Sequence, residues 1–573
     1  MVRQAHLTRL RGGAFDVLVI GGGITGAGVA CEAAARGLSV ALVERGDFAH
    51  GTSSGSTKLI HGGLRYLPML DVAQVREGLE EQNRLLCNAP HLVRPLPFVL
   101  PLYRGASRPL GLSLPRPLRA GLPLGLAFGL WAYDRLAGRI GPRRHRRLAP
   151  ADAAALVPAL QREGLRRAFL YYDAQTDDAR LTLAVLRTAV SHGAVAANYV
   201  EAVGVRMEAG RCTGADVVDR LSGVRSVVSA RMTINAAGIW AEAVAGFVAP
   251  PTFRIRRAKG VHIVLRSGRL GMHRAALVLP ETDDGRVAFV VPWQGALLVG
   301  TTDTEWGRAD GAPPVGRDDV AYLLDHAARF LTVPLPGGEI LGAFASLRPL
   351  VSIGGRSSAH LSRRHEVVRS AEGFYSIIGG KLTTYRRMAE DVMNAATGRR
   401  AGTPSRTRTL PLIGAAELRQ VLPDLRDRAR RLRLPRRTWL HLIRTYGTEA
   451  ARVCDLVAER PALGTPLAEG CPHIGAEVVI AARHEMAVML EDVLLRRTRL
   501  AHLLPQQGVE IAAKVAALMG DELGWPTDSR ADRVAEYARA ASRLAAPGVG
   551  IPAGAARPAG GVPDAGRSRG GMR

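Results

Sequence analysis

The chain is poor in cysteine and has no long uninterrupted apolar run. Its five cysteines, Cys31, Cys87, Cys212, Cys454 and Cys471, are odd in number and show no C-x-x-C spacing. That argues against a disulfide framework and against a structural zinc site, and it suits the reducing, cytosolic side of a membrane. No apolar stretch reaches the roughly 18–20 residues needed to span a bilayer. The nearest, MTINAAGIWAEAVAGFV, is interrupted by Asn235 and Glu242. The N-terminal MVRQAHLTRLRGGAFD has no apolar centre of the kind a secretory signal needs. Acids are also scarce: 51 Asp and Glu face 77 Lys and Arg, a net charge of +26. Such a surplus fits an Arg-rich solvated surface, an anionic membrane, an anionic substrate or nucleic acid. Nucleic acid has no support beyond charge, and none is expected as a partner.

The positive charge is uneven. Arg104, Arg108, Arg116, Arg119, Arg135, Arg139, Arg143, Arg144, Arg146 and Arg147 fall in one segment with a single acid, Asp134. Between them lies LPLGLAFGLWAY, Leu122 to Tyr133, an apolar and aromatic run. Basic residues around an apolar stretch with Trp are what a segment lying in a membrane surface needs. At the other end, residues 541–573 are Gly, Pro, Ala and Arg with few core-forming side chains, and are expected to be a disordered tail.

The clearest motif is near the N-terminus. FDVLVI, Phe15 to Ile20, is a continuous apolar run suited to a buried parallel strand. It leads into GGGITGAG, with Gly21, Gly23 and Gly26 in G-x-G-x-x-G spacing, then a small-residue helix pattern that stops at Gly37, then SVALVE ending in Glu44. Strand, glycine turn, helix, strand and acid form a dinucleotide-binding fingerprint. The glycines allow close backbone approach, the helix N-terminus faces a pyrophosphate, and Glu44 accepts from a ribose hydroxyl. The motif alone does not separate FAD from NAD, but its position at the head of a long chain favours FAD. Two later strand-to-helix turns agree: RMTINAAGIWA, with Gly238, and FYSIIGGKLTTYRRMAEDV, where Gly380 precedes a helix expected to begin near Leu382 and Thr383.

The segment SSGSTKLIHGGLRYL, Ser53 to Leu67, is denser in polar and cationic groups than packing alone requires. Together with IGGGITGAGVACEAAARG, INAAGIWA, KGVHIV, LRPL and GGKLTTYRRMAE, it resembles the FAD-dependent glycerol-3-phosphate dehydrogenases, especially the bacterial respiratory enzyme. The resemblance runs from about residue 14 to about 400 and continues more weakly through RTYG, Arg444 to Gly447, and HEMAVMLEDVLLRRT. Glu32 stands where the family usually carries Asp, and no EF-hand loop of the mitochondrial relatives occurs.

The resemblance implies oxidation of sn-glycerol 3-phosphate to dihydroxyacetone phosphate, with electrons passing to FAD and then to a membrane quinone. The alternatives are an oxidase using O2, an amino-acid oxidase on the same fold, or a silent flavin-binding protein. The expected fold is α/β: a Rossmann-like FAD-binding domain (14–100, 160–245 and 340–400) interwoven with an antiparallel β-sheet substrate cap (100–160 and 250–340), then a helical domain at 405–540. The expected setting is cytoplasmic, peripheral on the inner face of the cell membrane, as a homodimer, with no metal. In this reading Thr52, Ser53, Ser56 and Lys58 hold the FAD phosphates and ribityl chain. His61, Gly62 and Gly63 run beside the flavin ring, and Arg65 and Tyr66 reach into the substrate space. Arg348 is the leading phosphate cation. His262 is the candidate general base, and Lys381 sits near the reacting oxygen; which of the two takes the proton stays open. His484 and Glu485 are read as structural or interfacial.

Overall fold

The computed structural model describes residues 1–547 except 70, 105–121, 139–140, 142, 269, 281–285, 309–310, 334, 336, 354–363 and 400–403. The described residues build two sheets. The first has eight strands, and at its centre Ala14–Ile20 lies parallel between Arg225–Asn235 and Val40–Val43. Phe374–Gly379 and Val195–Ala197 extend it in parallel on either side. Strands buried on both faces read as unbroken apolar runs, and Val17, Leu18 and Val19 are completely buried. The helices Ile24–Ala35, Asp178–Ser191 and Tyr385–Ala396 share one apolar core with this sheet.

The second sheet has ten strands, dominated by the long antiparallel pair Phe253–Arg266 and Ile340–Ile353. One pair, Ala276–Leu279 with Arg94–Tyr103, is parallel. Sheet membership moves the expected domain limits. Leu59–Ile60, Arg94–Tyr103, Leu165–Gln175 and Ile340–Ile353 had been expected with the FAD-binding segments, yet they pair within the second sheet. The reason is non-local pairing. Residue 340 starts a strand that follows Phe253–Arg266 along nearly its whole length, so the chain leaves the cap later than its local pattern suggests.

The C-terminal part is helical, from Leu418–Arg431 to Thr527–Ala541. Residues 542–547, expected to belong to the tail, are folded. Ser542–Leu544 forms a turn and Ala546 is buried against the second sheet's core. The rest of the tail, and Arg108, Arg116, Arg119 and Arg139, lie outside the described residues. Glu485 is completely buried and accepts a bidentate fork from Arg180, at 2.7 and 2.8 Å, so it does tie the helical part to the first sheet's helices. Among the described residues no helix is long and apolar enough to cross a membrane. All five cysteines carry free thiols.

Candidate active site

A cavity of about 980 Å³ runs between the two sheets, at the upper end of the roughly 300–1,000 Å³ usual for ligand sites. One end is built by the first strand and its turn. Gly21 has φ +115°, and a Cβ there would sit 2.6 Å from the carbonyl oxygen of Ala236. Only glycine lets the chain turn here while Arg225–Asn235 ends beside it. Gly21, Gly23, Ile24 and Thr25 line the cavity, so the opening turn of the helix faces it. Glu44 lines it too, and its carboxylate accepts from the amides of Gly22 (2.6 Å) and Gly46 (2.8 Å). Burial pushes that carboxyl up, but the charge and hydrogen bond of His50 and the two amides outweigh it and hold it below its ordinary value. The His50 and Trp240 rings stack at 5.4 Å beside it, a flat pair that the sequence did not advertise. A glycine cradle, an ionised acid and a planar platform fit the adenosine half of a dinucleotide.

The cavity is also lined by Thr52, Ser53, Ser56 and Thr57 and by Gly238, Gly380, Leu382 and Thr383. Gly379 and Gly380 have φ +73° and +80°, and the helix starts at Tyr385 rather than near Leu382. Two consecutive left-handed residues and the tight turn Lys381 to Thr384 (3.2 Å) use up the residues that local pattern assigned to the first helical turn. His61 lines the cavity, its amide donating to the Thr383 hydroxyl oxygen at 3.2 Å.

Arg348, His262 and Lys381 line the same cavity. The guanidinium of Arg348 donates to Thr302 O (3.2 Å), Asp303 Oδ1 (3.1 Å) and Thr301 Oγ1 (2.8 Å). His262 stands on the neighbouring strand with Nε2 3.0 Å from Thr57 Oγ1, its ring stacked on Phe344 at 5.1 Å. Its Nδ1 is buried without a hydrogen-bond partner among the described residues. Burial first, then the charges of Arg348 and Lys58, hold the imidazole well below its usual value, so it is neutral at neutral pH. Lys381 donates to Gln74 Oε1 at 2.9 Å and lies 4.1 Å over the Tyr66 ring. Two glycines make the room. A Cβ at Gly260 would meet Arg348 Nη2 at 2.5 Å, and one at Gly300 would meet the His262 ring at 2.2 Å.

Four expected contacts fall elsewhere. Lys58 is completely buried, donates to Asp178 and to the carbonyl of Ser54, and does not line the cavity. Burial pushes its ammonium down to about 8 despite Asp178. A lysine between serines looks like a phosphate ligand, but its partner is an acid 120 residues later. Gly26 works by packing, since a Cβ there would overlap the Gly21 carbonyl. Gly62 and Gly63 lie behind the cavity wall. The Gly62 amide donates to Asp173 Oδ1 at 3.0 Å, and Gly63, at φ +86°, turns the chain under the Tyr66 ring. The Arg65 side chain lies outside what the structure describes.

Asp173 is a residue local pattern did not flag. It lines the cavity and also accepts from Gln82 Nε2 (3.0 Å) and the Tyr133 hydroxyl (2.6 Å). Burial pushes its carboxyl up to about 6. Thr57 and Gln74 were likewise missed, although Thr57 lies inside the polar loop.

Comparison with known proteins agrees with this geometry. A family model described as FAD dependent oxidoreductase matches residues 16–386, and one for the C-terminal domain of alpha-glycerophosphate oxidase matches 405–530. The chain is 37% identical to glycerol-3-phosphate dehydrogenase 2 of Mycobacterium bovis, over 91% of this chain and 87% of the relative. It is 38% identical to the mitochondrial glycerol-3-phosphate dehydrogenase of Bos taurus, over 94% and 74%. The solved glycerol-3-phosphate dehydrogenase from Bacillus halodurans, complexed with FAD, superposes with TM-score 0.76 at 27% identity, covering 95% of this chain and 97% of that one. The chain therefore belongs to the FAD-dependent oxidoreductases, within the glycerol-3-phosphate dehydrogenase family.

Proposed function

We propose that this flavoprotein oxidises sn-glycerol 3-phosphate at C2 to dihydroxyacetone phosphate and delivers the electrons to a quinone at a membrane surface. The observation that supports the reading is that Arg348, His262 and Lys381, from three distant segments, line the same cavity as Gly21 and Gly23 of the glycine fingerprint. When bound, FAD accepts the hydride that leaves C2. Glu44 serves the ribose, and Thr52, Ser53 and Ser56 serve the phosphates and ribityl chain. His61, Gly238, Gly380, Leu382 and Thr383, which line the same cavity, would frame the flavin ring. Arg348 forks onto two phosphate oxygens, with Arg65 assigned as second cation by family resemblance.

His262 receives the proton of the C2 hydroxyl. It is neutral, as an acceptor must be, and a phosphate dianion beside Arg348 offsets one of the cations that depress it. Lys381 makes contacts suited to an ammonium, an amide oxygen and an aromatic face, so its task is to stabilise negative charge on the reacting oxygen.

The helix Leu122–Ala137 supports the membrane part of the reading. Leu124, Phe128 and Trp131 lie on one face, 69%, 68% and 50% exposed. Arg135 sits over the Trp131 ring, and the nearby Arg143, Arg144, Arg146 and Arg147 are exposed. An apolar ridge followed in the chain by exposed arginines suits the interface of an anionic, cytoplasm-facing leaflet. The same reading has the chain acting as a homodimer, which light scattering tests.

Anaerobic glycerol 3-phosphate should bleach the flavin absorbance of the purified protein, and a soluble quinone should restore it. An unchanged oxidised spectrum would sink the proposal. Rapid oxygen uptake with peroxide release would instead favour the oxidase reading, which the name of the matched C-terminal family model keeps in view. Bleaching by amino acids alone would remove the substrate.

A further inference from the structure

The loop 52–58 lines the cavity with Thr52, Ser53, Ser56 and Thr57, yet what sets its shape lies behind it. Asp178 accepts there from the Ser56 amide (2.9 Å), the Ser56 hydroxyl (2.7 Å) and the Lys58 ammonium (2.8 Å). Lys58 also donates to the carbonyl of Ser54 at 2.6 Å. The second donor to that carbonyl comes from the C-terminal helical part: Arg499 Nη1, at 3.3 Å. The same guanidinium binds Asp177 through Nε and Nη2 (3.0 and 2.9 Å) and Asp178 through Nη2.

The four charged groups are sealed, with side chains of Lys58 and Asp178 at 0% exposure, Arg499 at 1% and Asp177 at 11%. Two cations and two anions balance inside this buried cluster, and each depends on the others for its hydrogen bonds. Thr57, in the middle of the loop, is the hydroxyl next to His262 Nε2. One hydrogen-bonded chain therefore runs from Arg499 through Asp178 and the loop to the imidazole.

We propose that the C-terminal helical part is an integral piece of the cofactor site, with Arg499 as a positioning residue that locks the loop 52–58 in the shape that receives FAD. The proposal rests on the reading of that loop as a cofactor contact. Arg499 touches neither cofactor nor substrate; it acts through Ser54 and Asp178. Neutralising the two acids is work any cation does, but holding Ser54 and both carboxylates at once needs a planar fork with several donors. A lysine keeps the charge and loses the geometry.

The test uses the full-length holoprotein. FAD release is followed after dilution by the recovery of free-flavin fluorescence, the visible circular dichroism of the bound flavin is recorded, and the thermal midpoint of the apoprotein is measured separately. Arg499→Lys should release FAD about ten-fold faster or more and change the flavin dichroism, with the apoprotein still folding cooperatively. Arg499→Met should be more severe; if it is recovered unfolded, Asp178→Asn supplies the second reading and should also speed release.

Glu485→Gln is the control. It weakens another buried ion pair of the same interface, the one with Arg180, which does not touch the loop. It should lower the thermal midpoint and leave FAD release within about two-fold. Release unchanged in folded Arg499→Lys and Asp178→Asn would overturn the proposal. So would equal acceleration in Glu485→Gln, because general docking of the helical part would then explain the effect. The flavin-bleaching test of wild type with glycerol 3-phosphate does not depend on either result, so failure of the lock and failure of the enzymatic reading are separable.

Discussion

Replacing Arg348 tests the substrate pocket most directly. Its side chain is about one-third exposed, toward a cavity, and its guanidinium already donates to Asp303, Thr301 and the carbonyl of Thr302. These contacts aim the group. A charge-assisted hydrogen bond contributes on the order of 1.5–3 kcal/mol, so Arg348→Ala should lower kcat/KM for glycerol 3-phosphate by roughly 10- to 150-fold. The loss should sit toward the upper end, because Asp303 would be left beside the incoming phosphate without its cation. Arg348→Lys keeps a point charge but no fork and should fall between wild type and alanine.

FAD content should be unchanged, since Arg348 acts on His262 and donates to Thr301, Thr302 and Asp303. The assay is anaerobic titration of flavin bleaching, combined with steady-state turnover using a soluble acceptor. A kcat/KM within two-fold of wild type would refute the reasoning. So would loss of FAD from a folded variant, which would move Arg348 to the cofactor.

Four further outcomes are expected. His262→Asn should reduce kcat by roughly 100-fold or more with little change in FAD content. Because burial and Arg348 hold the His262 imidazole well below 6.5, the acid limb of kcat/KM in wild type should lie below pH 6.5 and move upward in Arg348→Ala, as a neighbouring cation is removed; an unmoved limb would take the imidazole out of the pH profile. Asp173, pushed up to about 6 from 3.8, is more stable protonated in the fold. Its contribution is complete below pH 3.8 and lost as pH rises through about 6, a swing on the order of 3 kcal/mol. Apoprotein of Asp173→Asn should therefore show a flatter stability profile between those values by denaturant titration, and an unchanged slope would refute the assignment. Phe128→Ser with Trp131→Ser should weaken sedimentation with anionic vesicles about ten-fold or more, leaving flavin bleaching in solution intact; equal binding by the variant would move the contact to another face.

Local pattern was enough for the nucleotide turn. A buried strand, a glycine turn and a helix are consecutive in the chain, and an apolar run beside G-x-G-x-x-G has few other uses. Cofactor class and family followed from the same short segments, and so did Arg348, His262 and Lys381 as candidates, because each sits in a compact motif. Tertiary structure decided the rest. The two sheets exchange strands far apart in sequence, so residues 340–353 belong beside 253–266 whatever their own pattern. Lys58 reads as a phosphate cation until Asp178 and Arg499 are brought behind it from 120 and 441 positions away. Asp173 reads as an ordinary strand acid until Gly62, Gln82 and Tyr133 surround it. In each case the role depends on burial and on partners supplied by distant segments, and neither quantity is encoded within a few residues of the group itself.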